Sequence, residues 1–549
     1  MGVHLLRLGV IVWVEGLSVK FRVNEGVKVE RGQLVKIEDG STRFIARVYG
    51  FKPEALFTPA EIARISHRKV LGERAEIFDG PLRYYDTALA TLVAQVDEDG
   101  ECHGPTGSPR LFSVVEDLDE EDLAQLSLDV GDIEVGWVRV GHRATGSKVS
   151  LVGFKAFPHH VLVCSITGGG KTNFGKVLAW NVMKAPEGRY SLIIIDTESE
   201  YFDGGDPSHM GLAHSLHASS RLFYVTSKVS TVCRVEFRFR YNGHELTRSI
   251  AAHPLEISWS QLHPEDFCQT GEFTPPQESL LWLAWNWYGD KWLQRMMEVD
   301  PEWLYRDLGK RVQKVTIAVT KRKLRRMLGD RSVFKPNNCD TDLIKSLVNA
   351  VARGKVVLID MPSASEEQEK LLNVVVARRV FAYYEAMRKE APEEWEKLPT
   401  VLIMVEEAHR YLSKSALHEG GSRRENVFST ISKRGRKYRV GLCCITQMPG
   451  ELDEPIIRQQ LTKVILPLPT KPDYSKVIQY SPYLERAAQE IKALDRGEAL
   501  IVSPPSGIKF AVPVKIHAYE DLVKGELEEE LGLRKTPSRL VSFMGLRTT

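Results

Sequence analysis

The stretch Ser165-Ile-Thr-Gly-Gly-Gly-Lys-Thr172 follows the apolar run His160-Val-Leu-Val-Cys164 and leads into an amphipathic segment, Asn173 to Met183. A strand, a glycine-rich turn and a helix in that order form a phosphate cradle: successive backbone N–H groups and the helix N-terminus surround a phosphate chain. Thr167, Gly168, Gly169, Gly170, Lys171, Thr172 and Asn173 are the expected nucleotide contacts. Lys171 would reach the β- and γ-phosphates, and the Thr172 hydroxyl would ligate Mg²⁺. The match to G-x-x-x-x-G-K-[ST] departs at one place, because Ser165 stands where the first glycine belongs and must take whatever backbone geometry glycine would supply.

Outward from this loop the chain changes character. Toward the N-terminus, from Val3 to about Phe154, short β-rich runs such as Ser18-Val-Lys-Phe-Arg-Val23 and Gln33-Leu-Val-Lys-Ile37 are broken by turn residues, which predicts a small all-β barrel. Glu116 to Asp122 reads as a solvated turn or helix start. Toward the C-terminus, continuous apolar strands alternate with helices: Leu192 to Asp196, Lys355 to Asp360, Val401 to Val405, Leu442 to Thr446, Val464 to Leu468 and Ala499 to Val502. That rhythm predicts a parallel sheet covered on both faces. A Trp-rich insertion, about 206–342, is too long for one crossover, and a charged helix and arm follow from about Tyr519.

Composition narrows the function. The 74 Lys and Arg against 72 Asp and Glu leave a formal charge of only +2, so a polyanion site must be a local patch. Seven cysteines without paired C-x-x-C spacing read as reduced thiols of a cytoplasmic protein. The apolar N-terminal run is interrupted by Arg7 and Glu15 and reads as strand, and no uncharged run approaches the ~20 residues of a membrane helix.

A phosphate cradle alone only binds, and hydrolysis needs acid at the end of a second strand. Val401 to Val405 runs into Glu406-Glu407-Ala408-His409. Glu406 is assigned to the Mg²⁺ shell, partly through water, and Glu407 to the attacking water; two glutamates opening a helix also serve as plain dipole partners. Thr446-Gln447 ends a further strand, where Gln447 could meet the γ-phosphate or its water. Ser432-Lys-Arg-Gly-Arg-Lys-Tyr438 offers four cations for charge developing on the phosphate, or merely a solvated helix end.

Taken in order, Thr167 to Asn173, Asp196 to Tyr201, Val405 to His409, Gly435 to Tyr438 with Gly441-Leu442, Thr446 to Pro449 and Leu494 to Ala499 resemble the HerA family of archaeal DNA-translocating ATPases, relatives of FtsK and of conjugation ATPases. The resemblance covers roughly Phe157 to Ile516. It implies an α/β fold: a RecA-like P-loop core with a mainly parallel sheet over 155–518, carrying the helical insertion, preceded by a small N-terminal β-barrel over 1–154 and followed by a helix and arm over 519–549. It also implies ATP and Mg²⁺ as cofactors, double-stranded DNA in the channel of a homo-hexamer, and Arg436 as a trans-acting finger ahead of Lys433, Arg434 and Lys437. The family's work in DNA-end resection and repair adds a NurA-like nuclease docking through the barrel. Met448, where the family often carries arginine, is a further departure.

For DNA contact, Ser413 to Asn426 holds Lys414, Arg423 and Arg424 around Gly420-Gly421, either a loop projecting into a pore or an ordinary surface loop. The block Lys310 to Arg326 holds Lys310, Arg311, Lys314, Lys321, Arg322, Lys323, Arg325 and Arg326 and reads first as a solvated face or salt-bridge strip. A motor is the leading expectation; the alternatives are a conjugation-type DNA-transfer ATPase and a nucleotide-gated scaffold with slow hydrolysis.

Overall fold

The computed structural model describes residues 6–533 apart from 74–76, 78, 331–332, 338, 363, 420–421 and 424. Two compact units emerge, one from 1–151 with 463–516, the other from 152–462 with the segment from 517.

In the first unit, strands β1 (Arg7–Glu15), β2 (Ser18–Val23), β3 (Leu34–Asp39), β4 (Thr42–Ala55), β5 (Tyr84–Val96), β6 (Cys102–His103) and β7 (Val114–Asp117) are ordered β2-β1-β7-β3-β4-β5-β6. Pairing of β2 with β5 closes a six-strand antiparallel barrel, so the sheet has no free edge apart from the appended β6. Alternation explains the closure: Ile11, Val19, Phe21, Val35, Ile37, Phe44, Val48 and Val115 all point into one core. The acidic stretch does start a short helix, Glu120–Gln125, with Glu120 and Glu121 exposed, but one of its carboxylates is built in. Asp122, in a short helix capped by Asp119, is buried and bonds Lys36 at 3.1 Å and Arg43 at 3.2 Å.

β8 (Ile133–Val140) and β9 (Arg143–Leu151) follow the barrel, then the core unit begins with β10 (Val161–Cys164), β11 (Tyr190–Asp196), β12 (Leu222–Thr226), β13 (Cys233–Tyr241) and β14 (His244–Pro254). A small pair, β15 (Ile257–Ser258) and β16 (Phe334–Lys335), precedes β17 (Val356–Asp360) and β18 (Thr400–Val405). The two-residue strands β19 (His418–Glu419) and β20 (Ser422–Arg423) form a minimal hairpin before β21 (Val440–Thr446).

The core sheet runs β13-β14-β12-β17-β11-β18-β21-β10, with every neighbouring pair parallel except β13 with β14. The central strands are apolar except at a few positions, chiefly their ends, because helices cover both faces, and β10, β11, β17, β18 and β21 are buried at every position. This is the RecA-like P-loop core. Within 206–342, β12, β13 and β14 extend this sheet, with residues 234–240 forming strand as their alternation suggests, before the longer helices begin.

The last two apolar runs differ from expectation. β22 (Thr462–Ile465), β23 (Glu498–Ser503) and β24 (Ile508–Ile516) pair antiparallel with one another, and β24 pairs antiparallel with β8. Apolar runs of five or six residues look alike whether a strand is buried in a parallel or an antiparallel sheet. Direction is set by the connection, and the four-residue loop Pro504-Pro505-Ser506-Gly507 is short enough to force a hairpin between β23 and β24.

Candidate nucleotide site

The site is assembled at the C-terminal ends of β10, β21 and β18, with β21 lying between the other two. Ser165 closes β10 and needs no special backbone: its φ is not positive, its N–H donates to the Thr446 carbonyl at 3.2 Å and its hydroxyl to the Ile166 carbonyl at 3.0 Å. The left-handed turns fall on Gly168 (φ 75°) and Gly170 (φ 111°), which a Cβ would strain. Gly170 caps the helix Lys171–Lys184, so its first N–H groups lack helical partners and face outward as an anion cradle.

Lys171 Nζ is buried and has no hydrogen-bond partner among the described residues. Burial pushes its pKa down, while the charges of Glu407 and Glu406 oppose that shift. An ammonium held there without a ligand is what a phosphate chain would satisfy, so the chain fits a nucleotide triphosphate. Thr172 is half-buried one residue on. Asn173 turns elsewhere: its amide donates to the His517 carbonyl and accepts from the Tyr519 N–H, each at 2.8 Å, tying down the C-terminal helix Tyr519–Glu530.

Glu406 and Glu407 occupy a turn directly after β18 rather than opening a helix; only the short His409–Leu412 follows. Glu406 accepts from the Tyr201 hydroxyl at 2.8 Å. Enclosure by the surrounding strands raises its pKa to about 7 against that hydrogen bond, and the charges of Asp196, Glu407 and Glu200 add to the rise. Tyr201 is itself buried, and its backbone N–H donates to Asp196 Oδ2 at 2.8 Å. Gly175 makes room for it, since a Cβ there would sit 2.5 Å from the tyrosine oxygen.

Glu407 carries a left-handed φ of 44°, a strained conformation for glutamate. Its Oε1 accepts from Gln447 Nε2 at 2.7 Å and its Oε2 lies 3.4 Å from His409 Nδ1. Gln447 Oε1 in turn accepts from the Thr167 hydroxyl at 2.6 Å. Because one strand separates β10 from β18, the residue just after that strand bridges the phosphate loop and the carboxylate. Met448 is exposed, and its backbone N–H bonds the Thr446 hydroxyl at 3.0 Å.

Of the basic run after Ser432, Lys433 pairs with Glu425, Arg434 with Glu385 at 2.8 Å, and Lys437 lies over the Tyr438 ring. Arg436 is exposed and makes no ion pair or ring contact among the described residues. Lys414 is exposed at the start of the short helix Lys414–Leu417, while Arg424 and the Arg423 side chain lie outside the described residues. The sequence reading brings together Thr167, Lys171, Glu406, Glu407 and Gln447 but gives no role to Tyr201, Gly175 or His409. Only the Asp196 to Tyr201 stretch among the quoted motifs hinted at the first.

Residues 133–380 match the sequence family described as "Helicase HerA, central domain". The chain is 25% identical over 430 residues to the DNA double-strand break repair helicase HerA of Pyrococcus furiosus, covering 73% of this chain and 72% of that one. It is 24% identical over 469 residues to the protein of the same name from Sulfurisphaera tokodaii, covering 83% and 82%. Among solved structures, the plasmid coupling protein TrwB in complex with a non-hydrolysable ATP analogue aligns at 12% identity and a TM-score of 0.44, over 70% of this chain and 94% of that one. Its central domain matched and its relatives aligned over most of their length, the chain, with a P-loop, paired glutamates and a bridging glutamine at three neighbouring strand ends, is similar to the HerA helicases.

Proposed function

We propose that this chain is an ATP-hydrolysing motor that moves on double-stranded DNA as a homo-hexameric ring in the cytoplasm, serving DNA-end processing beside a NurA-like nuclease held at the barrel. The observation that carries hydrolysis is the continuous path Thr167–Gln447–Glu407 beside the unpartnered Lys171 amine. The DNA substrate and the repair role follow from the HerA relatives, whose names state them.

In this reading Lys171 holds the β- and γ-phosphates, and Glu407 takes the proton of the attacking water while Gln447 fixes its carboxylate. Thr172 and Glu406 would hold Mg²⁺, which neutralises charge developing on the transferred phosphoryl group. Arg436 is the preferred finger toward a neighbouring subunit because its neighbours are spent on partners within the chain. Lys414, Arg423 and Arg424 are the proposed phosphate contacts. Among the described residues no helix is long and apolar enough to cross a membrane.

Steady-state ATP hydrolysis with and without linear duplex DNA tests the reading, with Glu407→Gln as control. Strong stimulation lost in the variant is the expected result. Slow turnover indifferent to DNA would overturn it in favour of a nucleotide-gated scaffold.

A further inference from the structure

The core unit carries a second concentration of charge that the nucleotide site does not use. The helix Lys314–Leu328 buries Ile317, Leu324, Met327 and Leu328. From Lys310 to Gly329 there is no aspartate or glutamate, although the whole chain is nearly neutral. An exposed helix face in such a protein normally alternates charge so that i, i+4 pairs attract.

The six cations of this helix divide into two sets. Lys321 is buried and donates to the Met297 and Val299 carbonyls at the end of the helix Trp292–Glu298. Lys323 donates to the Glu272 carbonyl at 2.6 Å and Gln277 Oε1 at 2.9 Å, and Lys314 pairs with Glu302 at 2.6 Å. Those three are structural. Arg322, Arg325 and Arg326 are all exposed and make no ion pair among the described residues.

Their spacing sets like charges at i, i+3 and i, i+4, where they repel. Arg325 and Arg326 gain something from the helix C-terminus, but Arg322 lies further back and gains little. A fixed strip of three guanidinium groups within about 6 Å of helix axis, with no internal counter-charge, is complementary to a polyanion. Arginine in particular binds phosphate through two parallel N–H donors. At the other end of the same block, exposed Arg311 lies over the exposed Trp287 ring at 5.7 Å.

We propose that the outward face of the helix Lys314–Leu328 is a DNA-backbone contact separate from the loop after Glu407, with Arg322, Arg325 and Arg326 binding phosphates. The proposal rests on the reading of the chain as a DNA motor. Duplex and displaced single strand share the phosphate chemistry, and the probes below tell them apart.

The test uses the full chain. Binding of labelled oligothymidine and of labelled duplex is measured by anisotropy between about 50 and 200 mM salt, for wild type and for Arg322→Ala/Arg325→Ala/Arg326→Ala. Three lost phosphate contacts should flatten the slope of log affinity against log salt by about 2 on single strand, so the wild-type advantage shrinks roughly 20-fold across that range. Loss on oligothymidine alone assigns the strip to a displaced strand; loss on both assigns it to duplex. The triple lysine variant keeps the charge and should retain most of the binding, and DNA-free hydrolysis should be unchanged in both.

Unaltered affinity and slope would overturn the proposal. So would a change in assembled mass by light scattering with DNA binding intact, which would make the strip an interface between copies of the chain. Duplex-stimulated hydrolysis of the wild type is scored separately: its absence defeats the motor reading, whereas its presence with an indifferent triple variant defeats only the strip.

Discussion

Gln447 Nε2 donates to Glu407 Oε1 at 2.7 Å while its own Oε1 receives the Thr167 hydroxyl at 2.6 Å, so the phosphate loop is wired to the carboxylate of β18 through a single side chain. A carboxylate held in one orientation on a strained backbone is pre-set to take a proton at a fixed place. Glu407→Gln should therefore leave ATP bound and lower turnover by about 100-fold or more. Single-turnover hydrolysis alongside nucleotide binding checks this; near-normal turnover would move the base elsewhere. Gln447→Ala should act in the same direction but less, because it removes orientation and not the base.

Lys171 makes two predictions of opposite sign. Its buried amine lacks a partner, so Lys171→Met, which keeps the apolar stem, should raise the unfolding temperature of the nucleotide-free protein, relieving a cost of about 1–3 kcal/mol. The same change should weaken ATP binding by roughly 100-fold, since a charge-assisted contact to phosphate is lost. Calorimetry of both quantities decides. A variant less stable without nucleotide would mean that the amine has a structural partner.

The phosphate loop and Glu406-Glu407 were legible because both are local: a strand, a turn of stated composition and a short polar sequence lie within a dozen residues. Gln447 could be placed only as the end of a strand; that it bridges Thr167 and Glu407 depends on β21 lying between β10 and β18, which is a matter of sheet order. Tyr201 and Glu406 are 205 positions apart, and no spacing rule joins them. The antiparallel course of β22 to β24 was hidden for the same reason, since apolar runs report burial and not direction. Asp122 escaped because an acidic stretch is ordinarily solvated, and its two cations come from β3 and β4.

Gly175 sits inside the helix Lys171–Lys184, where alanine would ordinarily stabilise by about 1 kcal/mol. Here the new Cβ would lie 2.5 Å from the Tyr201 oxygen and 3.2 Å from the ring. Gly175→Ala should therefore destabilise the fold. Tyr201→Phe removes the offending oxygen, so the double variant should recover part of the loss in urea denaturation, a non-additive cycle. Additive losses would show that the tyrosine does not occupy this niche.

Arg436, exposed and unpaired among the described residues, is predicted to act on a neighbour's nucleotide. Mixing Arg436→Ala subunits with Glu407→Gln subunits should restore a measurable part of hydrolysis at intermediate ratios, because some interfaces then combine an intact glutamate with an intact arginine. Activity that stays at the sum of the two inactive parents at every ratio would place the arginine's action, if any, within its own subunit.

His160 supplies a pH test of the core. The ring is buried at the start of β10, where Nε2–H donates to the Ser432 carbonyl at 3.0 Å and Nδ1 accepts the Leu442 N–H at 3.1 Å. Protonation would place a second hydrogen against that N–H in an apolar setting, and burial lowers the pKa from 6.5 to about 4. The unfolded chain takes up a proton as pH falls through about 6.5, whereas the folded one does not until about 4, so stability contributed by neutral His160 is complete above 6.5 and lost as pH falls toward 4. At about 1.4 kcal/mol per pH unit the full loss is roughly 3 kcal/mol. His160→Asn, which cannot ionise, should flatten that slope while lowering stability near neutrality, since the Leu442 N–H loses its acceptor. Denaturant unfolding of both proteins across this window, taken as a difference, isolates the histidine from the carboxylates that titrate in both. An unchanged slope would mean that His160 ionises alike in the folded and unfolded states, and the neutral bridge between Ser432 and Leu442 would have to be given up.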